Sequence, residues 1–100
     1  MSITVHGYDF DGPLKSTSGL QSKAGVYIIY CPTSDGKYKR LDVGESEDVR
    51  DRIENHDRER CWKRNCDSVM YAAYYESSAE KRRSIEAKIR DDYKLPCGKE

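Results

Sequence analysis

The stretch that decides the fold reads GVYIIY at residues 25–30 and LDVGES at residues 41–46. The first run is continuous, apolar and rich in β-branched side chains, which predicts a buried strand because so short a run is not stable as a helix on its own. Residues 32–36, PTSDG, contain an Asp-Gly step typical of a hairpin turn. Residues 38–43 are therefore expected to form the returning strand.

The returning strand is expected to have one apolar face. On the returning strand, Leu41 and Val43 are expected to share one face, so that Asp42 points away from it. Gly44 then ends the strand.

A helix is expected next, over residues 47–58. Ser46 followed by two acidic residues is typical of a helix N-cap with a first turn that suits the helix dipole. The inward stripe of this helix, spaced i, i+3, i+4 and i+7, consists of Val49, Arg52, Ile53 and His56. Two basic side chains are thus expected on the side of the helix that packs on the domain.

The second half of the chain predicts a strand and a helix. Residues 58–67 either extend the preceding helix or form a short second one, and residues 69–75 predict a third strand. A capping box from Ser77 to Glu80 opens a last helix that Pro96 terminates. One sector of that helix holds Arg82, Ile85, Glu86, Ile89 and Tyr93.

Length and composition agree with a single domain. A chain of 100 residues supports one core, and residues 1–23 are expected to form an irregular arm on it, apart from a short strand candidate at residues 3–5. The order of elements predicts a compact α+β domain with a small sheet covered by helices. With 36% apolar residues and eight tyrosines, the core is expected to be thin and tyrosine-rich.

Charge and targeting signals narrow the function classes. Eighteen basic and 18 acidic side chains cancel, so any affinity for nucleic acid must come from a local patch. No run approaches the roughly 20 apolar residues of a membrane span, and the N-terminus lacks the order of a signal peptide. We therefore expect a cytoplasmic protein with no membrane association. In a reducing compartment its four cysteines are expected to be free thiols: Cys31, Cys61, Cys66 and Cys97.

Four polar residues stand where a thin core would prefer apolar ones: Tyr27, Arg52, His56 and Glu86. Each has an ordinary explanation: the tyrosine keeps its hydroxyl near water, the arginine covers aliphatic neighbours, and the histidine complements a helix dipole. The glutamate would pair with Arg82 or Arg90. Together, however, they suit phosphodiester hydrolysis, with a carboxylate for a divalent metal, a guanidinium for the phosphate and a Tyr–His pair for proton movement.

The ordered set resembles a known nuclease family. GVY at residues 25–27, then DVG at residues 42–44 after a hairpin turn, is similar to the paired motifs of the GIY-YIG nuclease domain. Arg52 and His56 follow at matching positions. The last helix extends the resemblance, because IEAKI at residues 85–89, leading to Leu95-Pro96, is similar to the family's metal-binding glutamate helix and the proline turn after it.

The resemblance covers roughly residues 24–98 and leaves residues 1–23 as the arm. It implies a small domain with a three-stranded, mainly antiparallel sheet flanked by helices. It also implies cleavage of DNA with one divalent cation, Mg²⁺ or Mn²⁺, and no organic cofactor. A protein partner or a homodimer for delivering the DNA is a further expectation, because the neutral chain is expected to bind DNA weakly.

Roles for four residues follow from the resemblance alone. Tyr27 would activate water, with His56 as its proton relay. Arg52 would contact the scissile phosphate, and Glu86 would ligate the metal.

Two positions depart from the family pattern. Asp42 stands where the second motif has tyrosine, and there it could recruit or reposition a metal near the phosphate, or repel the substrate. Cys97-Gly98 stands where the family often has asparagine, so a hydrogen-bonding role is vacant. The main alternative to a nuclease is the same fold with a degenerate site that binds nucleic acid or a protein without cutting.

Two more sets of residues admit a functional interpretation. A basic run flanking Trp62 could track a phosphate backbone while the indole stacks on a base, although interspersed acids favour a solvated helix face. The run consists of Arg58, Arg60, Lys63 and Arg64. A zinc site built from His56 and three of the cysteines is disfavoured, because structural zinc sites use more closely spaced cysteine pairs.

Overall fold

The computed structural model describes residues 2–92 and 94–98. A five-stranded sheet forms its centre. The strands are β1 (Ser2–Val5), β2 (Tyr8–Leu14), β3 (Gly25–Pro32), β4 (Tyr38–Ser46) and β5 (Met70–Tyr75). Their order across the sheet is β1-β2-β5-β3-β4, and each neighbouring pair is antiparallel. The strand that carries the second sequence motif, β4, therefore lies at an edge of the sheet.

Helices cover both faces of this sheet. They are α1 (Val49–Glu54), α2 (Glu59–Asn65) and α3 (Ala79–Asp92), with one 3₁₀ turn at Thr17–Gly19. On the α3 face, Ile85 packs in the same buried cluster as Val26. On the opposite face, Ile53 and Trp62 pack in a second cluster with Ile29. The α+β class predicted from the sequence is confirmed, with the sheet as the middle of three layers.

The predicted three-stranded sheet and irregular arm are wrong, because residues 2–14 form a hairpin that widens the sheet to five strands. His6 and Gly7 have φ angles of 53° and 80° and form its tight turn. Gly12 and Pro13 are residue types typical of turns and loops, yet both lie inside β2. The register shifts between Asp11 and Leu14, and this irregularity accommodates them.

A β-bulge overturns the predicted facing of β4. Ile29 pairs with Asp42 and Tyr30 pairs with Arg40, so Leu41 is an extra residue between the two pairs. Leu41 consequently packs in the cluster on the α1–α2 face, while Val43 packs on the α3 face. The bulge brings Leu41 and Asp42 to the same side of the sheet.

The helix predicted over residues 47–58 is shorter than expected, and of the two alternatives for residues 58–67 the separate short helix is the one found, as α2. Asp48, not Ser46, caps α1, because its Oδ1 accepts a hydrogen bond from the Asp51 N–H at 3.0 Å. The helix ends at Glu54, and His56 lies in the turn before α2. The cap at the start of α3 is also one residue later than predicted: Ser78 Oγ accepts from the backbone N–H three residues on.

Two disulfides are present, one joining β3 to the end of α2 and one joining α2 to the segment after α3, so the expectation of free thiols is wrong. Cys31 is bonded to Cys66, and Cys61 to Cys97, each pair with Cα atoms 5.8 Å apart. Sequence spacing does not reveal such pairing, because the partners are 35 and 36 residues apart. With these cysteines bonded, the disfavoured zinc site has lost its thiolate ligands.

Tyr93, expected in the buried sector of the last helix, lies outside the described residues. Within residues 2–92 and 94–98, no helix is long and apolar enough to cross a membrane.

Candidate active site

Tyr27 is a residue of β3, and its ring lies against the neighbouring edge strand, β4. It pairs with Gly44 in the β3–β4 ladder, and a Cβ atom at Gly44 would collide with the ring and hydroxyl of Tyr27. Glycine is therefore required at this position so that the tyrosine ring can lie against β4. Gly44 was predicted to end the strand, but β4 continues to Ser46. The requirement for glycine depends on cross-strand register, which the local sequence does not reveal.

His56 meets the Tyr27 hydroxyl from the α1–α2 turn. The distance between Tyr27 Oη and His56 Nε2 is 2.6 Å. The other ring nitrogen, Nδ1, accepts a hydrogen bond from the Arg58 backbone N–H at 3.0 Å. Because Nδ1 is an acceptor, a neutral imidazole carries its proton on Nε2 and donates it to the tyrosine oxygen.

Burial keeps both members of this pair neutral. Desolvation raises the pKa of Tyr27 to about 12, although the positive charge of Arg52 opposes the shift. Desolvation, with further contributions from Arg52 and Arg58, lowers the pKa of His56 to about 4. The Asp57 carboxylate lies 3.2 Å from His56 Nδ1. Because the imidazole is neutral, this contact is not an ion pair. At neutral pH the pair is thus a phenol that accepts a hydrogen bond from an imidazole.

Arg52 lies beside this pair with its side chain 38% exposed. Its Nη2 is 3.2 Å from the Asp57 carboxylate, which is itself 76% exposed. A pair this exposed is worth little, about 0–1 kcal/mol. The guanidinium can therefore exchange Asp57 for another anion at low cost.

Glu86 approaches the same strand edge from the other helical layer. Arg90 links its carboxylate to β4, donating from Nη2 to Glu86 Oε2 at 3.3 Å and to the Val43 carbonyl at 3.2 Å. Of the two predicted partners, Arg90 is therefore the one found; Arg82 instead binds Glu45 at 2.9 Å. Burial raises the pKa of Glu86, against the opposing effect of Arg90. The charge of Glu86 also acts on the Tyr27 hydroxyl, as do those of three other nearby groups.

Asp42 does not line this site as a free anion. Its side chain is fully buried and accepts hydrogen bonds from Arg58 Nε at 2.8 Å, Trp62 Nε1 at 2.9 Å and the Val43 N–H at 2.8 Å. The β-bulge directs Asp42 to this face, where α2 supplies its partners. Asp42 is therefore a neutralised core charge next to the Tyr27–His56 pair.

The predicted nucleic-acid surface divides into two parts. Trp62 is 1% exposed, so its indole is not available for stacking on a base, and Arg58 holds Asp42 instead of facing solvent. Arg60, Lys63 and Arg64 are exposed on α2. They remain a basic surface, although Lys63 lies 3.7 Å from Glu59.

The structure thus brings Tyr27, His56 and Arg52 together on one face of β4, with Glu86 at its edge from the other. Among the described residues, no three His, Cys, Asp or Glu side chains converge as a metal-binding group. Comparison of the chain with known protein families, curated proteins and solved structures finds no match.

Proposed function

We propose that this protein is a divalent-metal-dependent DNA endonuclease of the GIY-YIG type that hydrolyses phosphodiester bonds at the edge of β4. The observation that carries the proposal is the 2.6 Å hydrogen bond between Tyr27 and His56, beside Arg52 and under the electrostatic influence of Glu86. Burying a phenol and an imidazole in so small a core is costly unless they are paired with this geometry. Ordinary packing would be satisfied by apolar residues.

In this proposal Tyr27 and His56 handle the proton of the attacking water. His56 donates from Nε2, so the hydroxyl's own hydrogen and its second lone pair remain for a water or a phosphate oxygen. For Tyr27 to accept the proton of the attacking water, its own proton would first have to pass to solvent; the same Nε2–H would then stabilise the phenolate. Arg52 favours that ionisation, since its charge acts to lower the pKa of Tyr27.

Arg52 is the group proposed to bind the scissile phosphate. Tyr27 is 1% exposed, so a substrate has to displace side chains that lie over it. Arg52 is well placed to move, because its contact with Asp57 is solvent-exposed and weak. A phosphate would draw the guanidinium from Asp57 through stronger, charge-assisted hydrogen bonds.

Glu86 is the proposed metal ligand. Mg²⁺ is commonly held by one or two carboxylates together with waters and substrate phosphates, so a single half-buried carboxylate at the strand edge fits this ion. A bound divalent cation would offset negative charge on the phosphate and the leaving oxygen. To bind the cation, Glu86 would give up its hydrogen bond from Arg90, and Arg90 would keep its hydrogen bond to the Val43 carbonyl.

The aspartate in the second motif is compatible with this proposal. Its negative charge is neutralised by Arg58 and by two neutral N–H donors within the core. It therefore offers little net charge to repel a phosphate, and its lone pairs are occupied, which argues against a role as a metal ligand.

Cleavage assays with matched variants test the proposal. With Mg²⁺ or Mn²⁺, the purified protein is expected to nick DNA within a panel of single-stranded, duplex, branched and flapped substrates. Glu86→Ala and Arg52→Ala are each expected to lower the rate by about 10²–10³-fold, because each removes charge stabilisation needed in the transition state. Gel analysis of single-turnover reactions measures these rates.

The controls change the same residue types on the same helices. Glu80→Ala on α3 removes an exposed charge and Arg50→Ala on α1 removes a partly exposed one that pairs with Glu54; both lie outside the site and should leave the rate within a factor of about 2, in line with the small effects of surface substitutions. Equal activity in Glu86→Ala and Glu80→Ala would contradict the metal-ligand role.

The second candidate is a binding module of the same fold that does not cut. The observations that favour it are the near-complete burial of Tyr27 and the occupation of Glu86 by Arg90. Saturable DNA binding without cleavage of any substrate in the panel would favour this candidate over the nuclease.

A further inference from the structure

A pocket lies toward the turn of the β3–β4 hairpin, away from the candidate active site along β4. Its volume is about 330 Å³, at the lower end of the range for small-ligand sites. The described residues that line it are Ile3, Tyr30, Tyr38, Lys39, Arg40 and Lys94. We call it the hairpin pocket. None of the catalytic or metal-binding roles proposed above uses it.

An aromatic ring in this pocket faces solvent. Tyr38 is 40% exposed, and in the part of the chain that the structure describes no other large apolar side chain is as exposed. Its ring meets that of Tyr30 at a centroid distance of 6.0 Å and an interplanar angle of 64°. An exposed ring held by an edge-on partner is a surface on which a base can stack.

Positive charge surrounds this ring. Lys39 and Lys94 are exposed, and Arg40 contributes a third cation. Asp92 contacts His6 and lies 3.7 Å from Arg40. Among the described residues that line the pocket, three are cationic and none is acidic, in a chain that is neutral as a whole. An aromatic face beside such charge suits a ligand that carries both a planar ring and a phosphate.

The pocket and the candidate active site lie along one strand. Arg40 and Gly44 are both on β4, and four residues of strand span about 13 Å. Arg90 of α3 contacts the Val43 carbonyl, and Lys94 lies in the segment that follows the helix, which ends at Asp92. The pocket opens on the α3 face, where Tyr30 packs, whereas Tyr27 lies on the α1–α2 face, so a polynucleotide that reaches both would cross the edge strand β4.

We propose that the hairpin pocket binds an unpaired nucleotide of the DNA substrate, with its base against Tyr38 and its phosphate between Lys39 and Lys94. This inference rests on the proposed nuclease function and specifies its substrate: DNA with a single-stranded segment next to the scissile phosphate. A free nucleotide shares the same chemistry, so the experiment has to separate the two sources.

Binding measurements without metal test the pocket independently of cleavage. In EDTA, fluorescence anisotropy compares a labelled duplex carrying a single-stranded overhang with a blunt duplex of the same sequence. Tyr38→Ala is expected to weaken overhang binding by about tenfold, which corresponds to the loss of one base–aromatic stack. Blunt-duplex binding should not change. Tyr38→Phe, which keeps the ring, should bind as the wild type does.

Charge variants and a competitor complete the test. Lys39→Ala and Lys94→Ala should weaken overhang binding and reduce its salt dependence, whereas Lys15→Ala, an exposed lysine on another segment, should not. Thymidine 5′-monophosphate should compete only weakly. Tight binding of the free nucleotide that matches the overhang DNA would overturn the strand assignment in favour of a small-molecule site.

The pocket and the nuclease fail in distinguishable ways. Unchanged overhang binding in Tyr38→Ala, or no saturable overhang binding by the wild type, overturns the pocket assignment even if the protein cuts DNA. Loss of overhang binding in Tyr38→Ala supports the assignment even if no substrate is cleaved, and in that case only the nuclease proposal fails.

Discussion

Asp42 carries its charge in the core because three groups donate to its carboxylate. Arg58 supplies an opposite charge, while Trp62 and the Val43 backbone supply neutral N–H donors. Removing one partner from a buried pair costs about 3–5 kcal/mol, because the remaining charge is left without compensation. The aspartate that departs from the family motif is therefore tied to Trp62 and Arg58, and these two residues have structural roles instead of the expected contacts with DNA.

His56 makes stability depend on pH in the acid range. Its pKa is about 4 in the folded protein, below the ordinary 6.5, so the unfolded chain binds more protons between these values. Its contribution to stability is complete above about pH 6.5 and is lost as the pH falls toward 4. We expect the free energy of unfolding to fall by about 1–2 kcal/mol more between pH 7 and pH 5 in the wild type than in His56→Gln.

Urea denaturation at the two pH values measures this difference. Comparison with the variant removes the contributions of other titrating groups, which both proteins share. Equal pH dependence in the two proteins would show that His56 is not held neutral by the core.

At the scale of elements, the sequence predicts what depends on local pattern. The apolar run at residues 25–30 predicts β3, and the Asp-Gly step predicts the hairpin to β4. The bulge at Leu41 is not predictable in this way, because it depends on which residues of β3 and β4 pair. The need for glycine at position 44 is not predictable for the same reason, because it arises only from the Tyr27 ring on the neighbouring strand.

The sequence-based predictions for β2 and for the end of α1 are wrong because tertiary contacts override the local pattern. Gly12 and Pro13 are typical of a turn, but β5 pairs with the residues on either side of them and keeps them in a strand. The apolar stripe continued to His56, yet the helix ends at Glu54, and His56 instead accepts the Arg58 N–H within a turn. That turn brings the imidazole to Tyr27.

The disulfides fasten α2 and the chain after α3. Cys61–Cys97 joins these two segments directly, and closing a loop of this length contributes roughly 3–4 kcal/mol by the chain-entropy estimate. Reduction with dithiothreitol is expected to lower the melting temperature by more than about 10 °C, given roughly 4–8 °C per kcal/mol for a chain of this size. Calorimetry of oxidised and reduced protein measures the change.

Thiol alkylation before and after reduction is the control. Mass spectrometry should detect no alkylated cysteine in the oxidised protein and four in the reduced and denatured protein. Alkylation of all four without reductant would contradict the pairing.

At the scale of the molecule, the candidate site exists only in the assembled fold. Tyr27 comes from a central strand, His56 from a turn on one face, and Glu86 from a helix on the other. These residues could be selected from the sequence because their order and spacing resemble the motifs of a nuclease family. It did not predict the near-complete burial of Tyr27 or the contact between Arg90 and Glu86, because both depend on how the two helical layers pack against β4.

The proposed nuclease mechanism depends most on the Tyr27 hydroxyl, so the variant Tyr27→Phe is its most direct test. This change removes one oxygen and keeps the ring against Gly44. Tyr71→Phe removes a hydroxyl from another partly buried tyrosine on β5 and serves as the control. The measurement is the single-turnover rate of DNA cleavage with Mn²⁺, with the melting temperature of each variant recorded alongside. We expect the rate to fall by about 10²–10⁴-fold in Tyr27→Phe, the range for removing a group that transfers protons, and to be nearly unchanged in Tyr71→Phe. Cleavage by Tyr27→Phe at the wild-type rate would contradict it.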